Sequence, residues 1–360
     1  MIRIYACRQR ISRRRWKPAL LFLQGIGKSL QSYLIDLVGG IVLKKIVMTG
    51  GLTTILVLGV VLSCMAYFIG GYFVDLALKR GNADDPKAPP AVFTTAFTAT
   101  DGLHPSPRPK FEGENWNIAS ADGLQLTGTH FMPRHRSHQW VILVHGYGCN
   151  QQYTWNFAEE YLRHGYEVLT PDLRASGDSE GTYLTMGALE SEDIVRWAQK
   201  IAAADPEARI VLHGVSMGAA TVMLASAREL PSNVTAVIED CGYTSTYEMF
   251  AQELHTLFGL PAFPVMDCAN FMSKRRTGVS LKEAAPLDAV RNTKVPMLFI
   301  HGDADKLVPY SMMQQLYEAS GAPVREQLTV SGAGHAVSYG KDHDAYFGKV
   351  FGFADQYTRT

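Results

Sequence analysis

Short apolar runs and amphipathic segments alternate through the second half of the chain, and this alternation predicts its architecture. Residues 140–144 and 210–212 are continuous apolar runs, which is typical of strands buried on both faces of a sheet. Residues 187–203 instead carry their apolar side chains at helical spacing. Strands that alternate with helices predict an α/β fold with a doubly wound, mostly parallel sheet, and a functional site at the carboxyl ends of its strands.

The same pattern predicts the positions of the individual elements within a domain that spans residues 113–360. Residues 243–292 are rich in apolar side chains and predict a small helical cap over the site, although helices packed on the core would give the same pattern. Strands are expected at residues 124–131, 140–144, 167–170, 210–212, 234–238, 296–300 and 327–330. Helices are expected at residues 156–163, 187–203, 219–230, 311–319 and 344–357.

A long uncharged segment precedes this domain. Residues 46–74 contain no charged side chain over 29 positions, and about 20 apolar residues suffice to cross a bilayer core. The segment therefore predicts one transmembrane helix. We expect the proline-rich residues 75–112 to form a linker, and the basic residues 1–45 are compatible with an interfacial amphipathic helix. Met48 is an alternative translation start that would leave this basic segment out.

The formal net charge of zero hides an uneven distribution of charge. Residues 1–80 carry twelve Lys or Arg and two acidic residues, whereas residues 81–360 carry 22 Lys or Arg and 32 acidic residues. Ten of the basic residues precede the uncharged segment, so the positive-inside rule predicts a cytoplasmic N-terminus and a domain outside the cell membrane. The acidic domain argues against a nucleic-acid partner. The five cysteines lack metal-like spacing, and we expect neither a metal site nor a disulfide framework.

A Gly-x-Ser-x-Gly sequence lies between a predicted strand and a predicted helix, at Gly214-Val215-Ser216-Met217-Gly218. In that context it is typical of a nucleophile elbow, a tight turn that leaves the serine hydroxyl exposed above the sheet. The small residues on either side let neighbouring backbone approach closely. The N-terminus of the following helix favours negative charge at the site. Ser216 is therefore the candidate nucleophile.

A serine needs a base to remove its proton and an acid to orient that base. His335 follows the last predicted strand, and Asp303 and Asp305 both follow the strand before it. The chain order Ser, Asp, His agrees with an α/β-hydrolase triad, but order alone does not separate the two aspartates. The N–H groups of Met217 and Tyr147 are the candidate oxyanion donors, because they follow the nucleophile and an early strand respectively.

Together, these segments resemble the α/β-hydrolase superfamily over about residues 115–355, closest in pattern to bacterial membrane-anchored serine hydrolases of the serine aminopeptidase-like or acyl-hydrolase-like group. The resemblance implies that the spacing His-Gly-x-x-Asp-x-x-Val-Pro falls on Asp305 as the orienting acid. Relatives usually show Gly-His where this chain has Ala175-Ser176. The motifs that carry the resemblance are His145-Gly146, residues 172–179, the elbow, residues 240–245, residues 301–305 with Val308-Pro309, and Gly334-His335.

We therefore expect a membrane-anchored serine hydrolase that cleaves a carboxylic ester of a small-molecule or lipid-like acyl substrate. Ser216, His335 and Asp305 would form the triad, and no cofactor is expected. A peptidase or thioesterase of the same fold remains an alternative, as does a non-catalytic protein that binds a lipid or a partner. The identity of the acyl group and the oligomeric state stay open, because this fold supports many activities.

Overall fold

A computed structural model describes residues 51–81, 85–90 and 104–359. The sequence predictions for the basic segment and for the start of the uncharged segment lie outside the described residues, as does part of the predicted linker. The segments concerned are residues 1–45, 46–50, 82–84 and 91–103.

The first described element is a long apolar helix, α1 (Gly51–Leu78). Its segment Ile55–Leu78, 24 residues with a mean hydropathy of 2.1, is long and apolar enough to cross a membrane. The sequence prediction ended the span at residue 74, but the helix continues through Asp75. The Asp75 carboxylate does not end the helix because it is satisfied by contacts with the domain. It pairs with Arg276 and accepts a hydrogen bond of 2.7 Å from the Tyr183 hydroxyl.

One eight-stranded sheet forms the centre of the domain, in the order β1-β2-β4-β3-β5-β6-β7-β8. The strands from β4 through β8 along this order run parallel, whereas β2 is antiparallel to both of its neighbours. The predicted doubly wound, mostly parallel sheet is confirmed. The strands are β1 (Glu112–Ala119), β2 (Gln125–Met132), β3 (Gln139–Val144), β4 (Glu167–Pro171), β5 (Arg209–Val215), β6 (Val234–Asp240), β7 (Met297–Gly302) and β8 (Arg325–Val330).

Helices cover both faces of the sheet. The helices after α1 are α2 (Trp155–Arg163), α3 (Glu190–Ala204), α4 (Met217–Ser226), α5 (Thr246–Phe258), α6 (Ala262–Thr277), α7 (Pro286–Val290), α8 (Tyr310–Ala319), α9 (Ser338–Lys341) and α10 (His343–Thr358). Buried side chains of α3, α4 and α8 belong to one apolar cluster, and those of α2 and α10 to the other. Alternate residues of each central strand enter the two clusters, as the pleat of a strand requires. The near-continuous apolar runs in the sequence reflect this double burial.

Strand β1 was not predicted from the sequence. Along β1, partly buried residues recur only at every second or third position, and none is fully buried. An edge strand with this exposure lacks the apolar run that identified the central strands. It pairs in antiparallel register with β2, from Glu112 opposite Met132 to Ala119 opposite Gln125.

The end of α1 packs into the domain as part of its core. Val74 and Leu78 are buried in the same apolar cluster as Met217, the residue after the candidate nucleophile. The backbone N–H of Leu184 donates to the carbonyl oxygen of Leu78 at 2.9 Å, and Arg80 N–H donates to Thr182 at 2.8 Å. The last turn of α1 is therefore fixed to the segment between β4 and α3.

Candidate active site

Ser216 lies in the sharp turn between β5 and α4. Its backbone dihedrals, φ 57° and ψ −116°, are outside the regions that L-residues ordinarily adopt. The turn closes only with glycine on both sides. A Cβ at Gly214 would overlap the carbonyl oxygen of Gly218, and a Cβ at Gly218 would overlap that of Val144. Packing against β3 thus holds the serine in its strained conformation.

A chain of hydrogen bonds joins the three residues that the sequence selected. Ser216 Oγ lies 2.8 Å from His335 Nε2, and His335 Nδ1 lies 2.7 Å from Asp305 Oδ2. All three residues are buried. The three residues come from loops at the carboxyl ends of β5, β7 and β8, which the parallel sheet brings together. Both ring nitrogens of His335 are therefore oriented, one toward the hydroxyl and one toward the carboxylate.

Asp305 is held by more than its contact with His335. Its Oδ1 accepts hydrogen bonds from the N–H groups of Leu307 and Val308, both at 2.9 Å, and His301 Nε2 lies 3.2 Å from Oδ2. Burial by itself raises the pKa of this carboxyl group. The hydrogen bonds and charges of His301 and His335 outweigh burial and hold the pKa of Asp305 below its ordinary value. The group is therefore a carboxylate at neutral pH.

Asp303 has a different place in the structure. Its Oδ1 accepts a hydrogen bond of 2.6 Å from the Gly332 N–H, and its Oδ2 accepts one of 3.2 Å from the Ser331 hydroxyl. These contacts tie the loop after β7 to the loop after β8 that carries His335. The structure brings Asp305, not Asp303, to the histidine.

The two candidate oxyanion donors belong to backbone beside Ser216. Met217 is the first residue of α4, where the N–H has no acceptor within the helix. Tyr147 follows Gly146, and a Cβ built on Gly146 would lie 4.0 Å from Ser216 Oγ. His145 shapes this loop, because its Nδ1 lies 2.9 Å from the Gly146 carbonyl oxygen and its Nε2 accepts from the Leu173 N–H at 3.1 Å. Burial lowers the pKa of His145, in keeping with a neutral ring.

Comparisons with known proteins identify the family of the chain. The alpha/beta hydrolase family model matches residues 141–348, more than half of the chain. The chain belongs to the alpha/beta hydrolase family. It is 28% identical to the uncharacterized protein YqkD of Bacillus subtilis over 318 residues, which cover 87% of this chain and 98% of that protein.

Two further proteins resemble this chain at lower identity. The chain is 24% identical over 237 residues to the uncharacterized protein YfhR of Escherichia coli K12, with coverage of 66% of this chain and 71% of that protein. Among solved structures, the Pyrococcus furiosus esterase Pf2001 superposes with a TM-score of 0.58 at 23% identity. That superposition covers 71% of this chain and 98% of the esterase, and it shows the shared fold.

Cys241 is a neighbour of the triad that the sequence did not single out. Its Sγ lies within 4.8 Å of ligand atoms of Asp305 and His335, a grouping that invites comparison with a metal site. Burial raises the pKa of the Cys241 thiol well above its usual value, whereas a metal binds the thiolate. The two nitrogens of His335 are also already engaged. Asp305 and His335 therefore fit the hydrogen-bonded chain with Ser216 better than a metal centre that includes Cys241.

A buried hydrogen-bond network holds the backbone of the turn at Ser216. The Ser216 N–H donates to the carbonyl oxygen of Asp240 at 2.8 Å, and the Tyr346 hydroxyl donates to the Asp240 carboxylate at 2.8 Å. Tyr346 in turn lies 3.2 Å from His213 Nε2. Burial raises the pKa of Asp240 to about 6. Nothing in the local sequence signalled this network, because its members lie on β5, β6 and α10.

Glu239, the residue before Asp240, is fully buried and predicts a pH dependence of stability. Burial raises its pKa from 4.5 to about 8. The folded state therefore binds an extra proton between about pH 4.5 and 8, and stability falls as the pH rises through that window. In Glu239→Gln the amide oxygen still accepts the bond that Gly242 N–H donates at 2.9 Å, but the titration is gone. From pH 5 to 8, wild type should lose roughly 3 kcal/mol more than this variant in denaturant unfolding.

The control for that measurement is Glu207→Gln, because the Glu207 side chain is 80% exposed. This variant should follow the pH dependence of wild type. Parallel stability curves for wild type and Glu239→Gln would show that Glu239 is already ionised in the folded protein.

Proposed function

We propose that the protein is a membrane-anchored serine hydrolase that cleaves a carboxylic ester through an acyl-enzyme. The observation that carries the proposal is the continuous hydrogen-bonded chain from Ser216 Oγ through His335 to Asp305. A hydroxyl 2.8 Å from an imidazole nitrogen, with a carboxylate on the other nitrogen, is the arrangement that activates serine as a nucleophile.

The reaction uses this chain's own residues and water. His335 Nε2 takes the proton of Ser216 as Oγ bonds to the ester carbonyl carbon, and the N–H groups of Tyr147 and Met217 stabilise the oxyanion. The bond from carbon to the alcohol oxygen then breaks, and His335 returns the proton to the leaving alcohol. Water attacks the acyl-enzyme by the same route and releases the carboxylic acid. Asp305 stabilises the imidazolium form of His335. It also holds the neutral ring in the tautomer whose Nε2 can accept a proton. Thioesters and peptides react by the same sequence, so they belong in the substrate screen.

Membrane anchoring is supported by the exposed apolar surface of α1. Ile55 is 63% exposed and Phe68 is 71% exposed, whereas a core helix of a soluble protein buries such side chains. A cleaved signal is disfavoured because the end of α1 belongs to the core of the domain. Ten Lys or Arg residues precede the span. Their excess supports a cytoplasmic N-terminus and a hydrolase domain on the other side of the cell membrane.

The orientation of the protein in the membrane is tested by inserting a reporter after Lys87 in the full-length chain. An alkaline phosphatase reporter, active only outside the cytoplasm, should be active at this position. A cytoplasm-specific fluorescent reporter at the same position serves as the matched control and should stay dark. The opposite pair of signals would reverse the proposed topology.

The nucleophile is tested by Ser216→Ala. Turnover of an activated ester should fall on the order of 10⁶-fold, the loss known for a triad serine in a serine protease. A fluorophosphonate probe should label wild type covalently and leave the variant unlabelled. Thr221→Ala, on the helix that follows the turn, is the labelling control. Ester turnover of the Ser216→Ala protein above a few per cent of wild type would remove Ser216 from the mechanism.

The orienting acid is tested by comparing Asp305→Asn with Asp303→Asn. Asp305→Asn should lower turnover by about 10⁴-fold while the fold survives, because the amide stabilises the wrong tautomer of His335. Asp303→Asn should lower the free energy of unfolding by about 1 kcal/mol, through loss of one of its two hydrogen bonds to the loop after β8. Kinetics with one activated ester decide the assignment. An active Asp305→Asn beside an inactive Asp303→Asn would reverse the roles of the two residues.

A further inference from the structure

An apolar cleft lies between the end of α1 and the helices α5 and α6. It is open to solvent at its mouth, and its lining is almost entirely apolar. Phe73, Val74 and Ala77 form its wall on the α1 side, and Leu254 and Phe258 face them from α5. Among its lining residues the one charged side chain is Glu253, whose pKa burial raises. The cleft therefore suits an apolar ligand and not an ionic one.

The wall that α1 contributes is held in place by close helix packing. A Cβ at Gly70 would overlap the carbonyl oxygen of Cys268 on α6, so the two backbones touch at this point. One turn further, the Arg276 guanidinium donates to the Gly71 carbonyl oxygen at 2.9 Å and pairs with Asp75. The cleft is thus a fixed feature of the joint between α1 and α6, a helix that lies within the predicted cap of residues 243–292.

Tyr147 connects this joint to the catalytic turn. Its backbone follows Gly146, which runs beside Ser216, and its hydroxyl donates to the carbonyl oxygen of Ala77 at 2.5 Å. Ala77 itself lines the cleft. One residue therefore contributes a candidate oxyanion donor at one end and contacts the wall of the cleft at the other.

Exposed aromatic residues next to the cleft mark the level at which α1 leaves the bilayer in the proposed anchored state. Tyr67, Phe68 and Tyr72 of α1 are exposed, and aromatic residues concentrate where a membrane meets water. On α6, Phe263 is 76% exposed and Phe271 is 63% exposed. Among the described residues outside α1, Val324 is the other large apolar side chain with such exposure.

The direction of α6 determines where these phenylalanines lie along α1. Cys268 lies beside Gly70, and Arg276 lies beside Asp75, so the N-terminal part of α6 points along α1 toward the bilayer. Phe263 and Phe271 therefore extend the aromatic level of α1 onto the cap.

We propose that this cleft is the acyl-chain subsite of the hydrolase, that α1 forms one wall of it, and that the substrate is a long-chain lipid ester entering from the bilayer. The inference rests on the proposed ester hydrolysis and names its substrate class. The acyl chain occupies the cleft while the ester carbonyl reaches Ser216. The fatty acid formed leaves by the same opening.

The test is chain-length selectivity of the full-length protein in detergent micelles. Leu76→Trp and Leu257→Trp fill the cleft from the anchor side and from the cap side. Each should lower the ratio of kcat/KM for a dodecanoyl ester to that for a butyryl ester at least tenfold. Leu62→Trp is the matched control, because Leu62 is 48% exposed on the same helix and lies outside the cleft. Its ratio should equal that of wild type. Fluorophosphonate labelling gives the concentration of active protein in each variant, so that rates are compared per active site.

The outcomes separate this inference from the proposed function. One outcome is that both cleft variants are labelled at Ser216, hydrolyse the butyryl ester and keep the wild-type ratio of dodecanoyl to butyryl kcat/KM. This outcome would overturn the acyl subsite alone, and the cleft would then be a binding site for a partner helix. A wild type that cleaves butyryl but not dodecanoyl esters would overturn it as well. Absence of both labelling and ester hydrolysis would overturn the proposed function together with the subsite. If one cleft variant fails to fold, the other, on a different helix, still decides.

Discussion

The strained backbone at Ser216 is the constraint on which the rest of the site depends. A residue with φ 57° and ψ −116° persists only where its surroundings determine it fully. Here the surroundings are β3 and α4, whose backbones meet at Gly218 with no room for a side chain. The central strands are buried on both faces, so the turn has no freedom to relax. The hydroxyl therefore faces the end of β8, where the loop presents His335.

A single carboxylate then organises the other half of the site. Asp305 has one oxygen for the backbone of its own loop and the other for His335, with His301 beside it. This division fixes the position of the carboxylate before any substrate binds. Asp303, two residues earlier, fixes the loop of His335 instead. The two aspartates therefore act on the same histidine in different ways. Asp305 contacts the ring of His335, and Asp303 holds the loop that carries it.

The sequence predicted the parts of the fold that have a local signal. The glycines of the elbow and the apolar runs of the central strands each reflect a physical requirement that acts within a few residues. The choice of Asp305 over Asp303 came instead from the resemblance to the α/β-hydrolase superfamily, because chain order alone did not separate the two. Strand β1 was missed because an edge strand carries no apolar run. The pairing of Asp75 with Arg276 could not be predicted either, because it joins positions 201 residues apart and only the fold brings them together.

The end of α1 is where this limit matters most for function. A charge at position 75 and the prolines beyond it suggested a span that ends at residue 74 and an extended linker that spaces the domain from the membrane. The buried Val74 and Leu78 fix the end of α1 to the domain, because apolar surface removed from water resists separation. In the proposed membrane-anchored state, a domain fixed to the end of its own anchor helix lies at a defined distance from the bilayer. The exposed Phe263 and Phe271 of α6 then lie on the side of the domain that is nearest to the anchor, so the proposed topology and the apolar surface of α6 are consistent with each other.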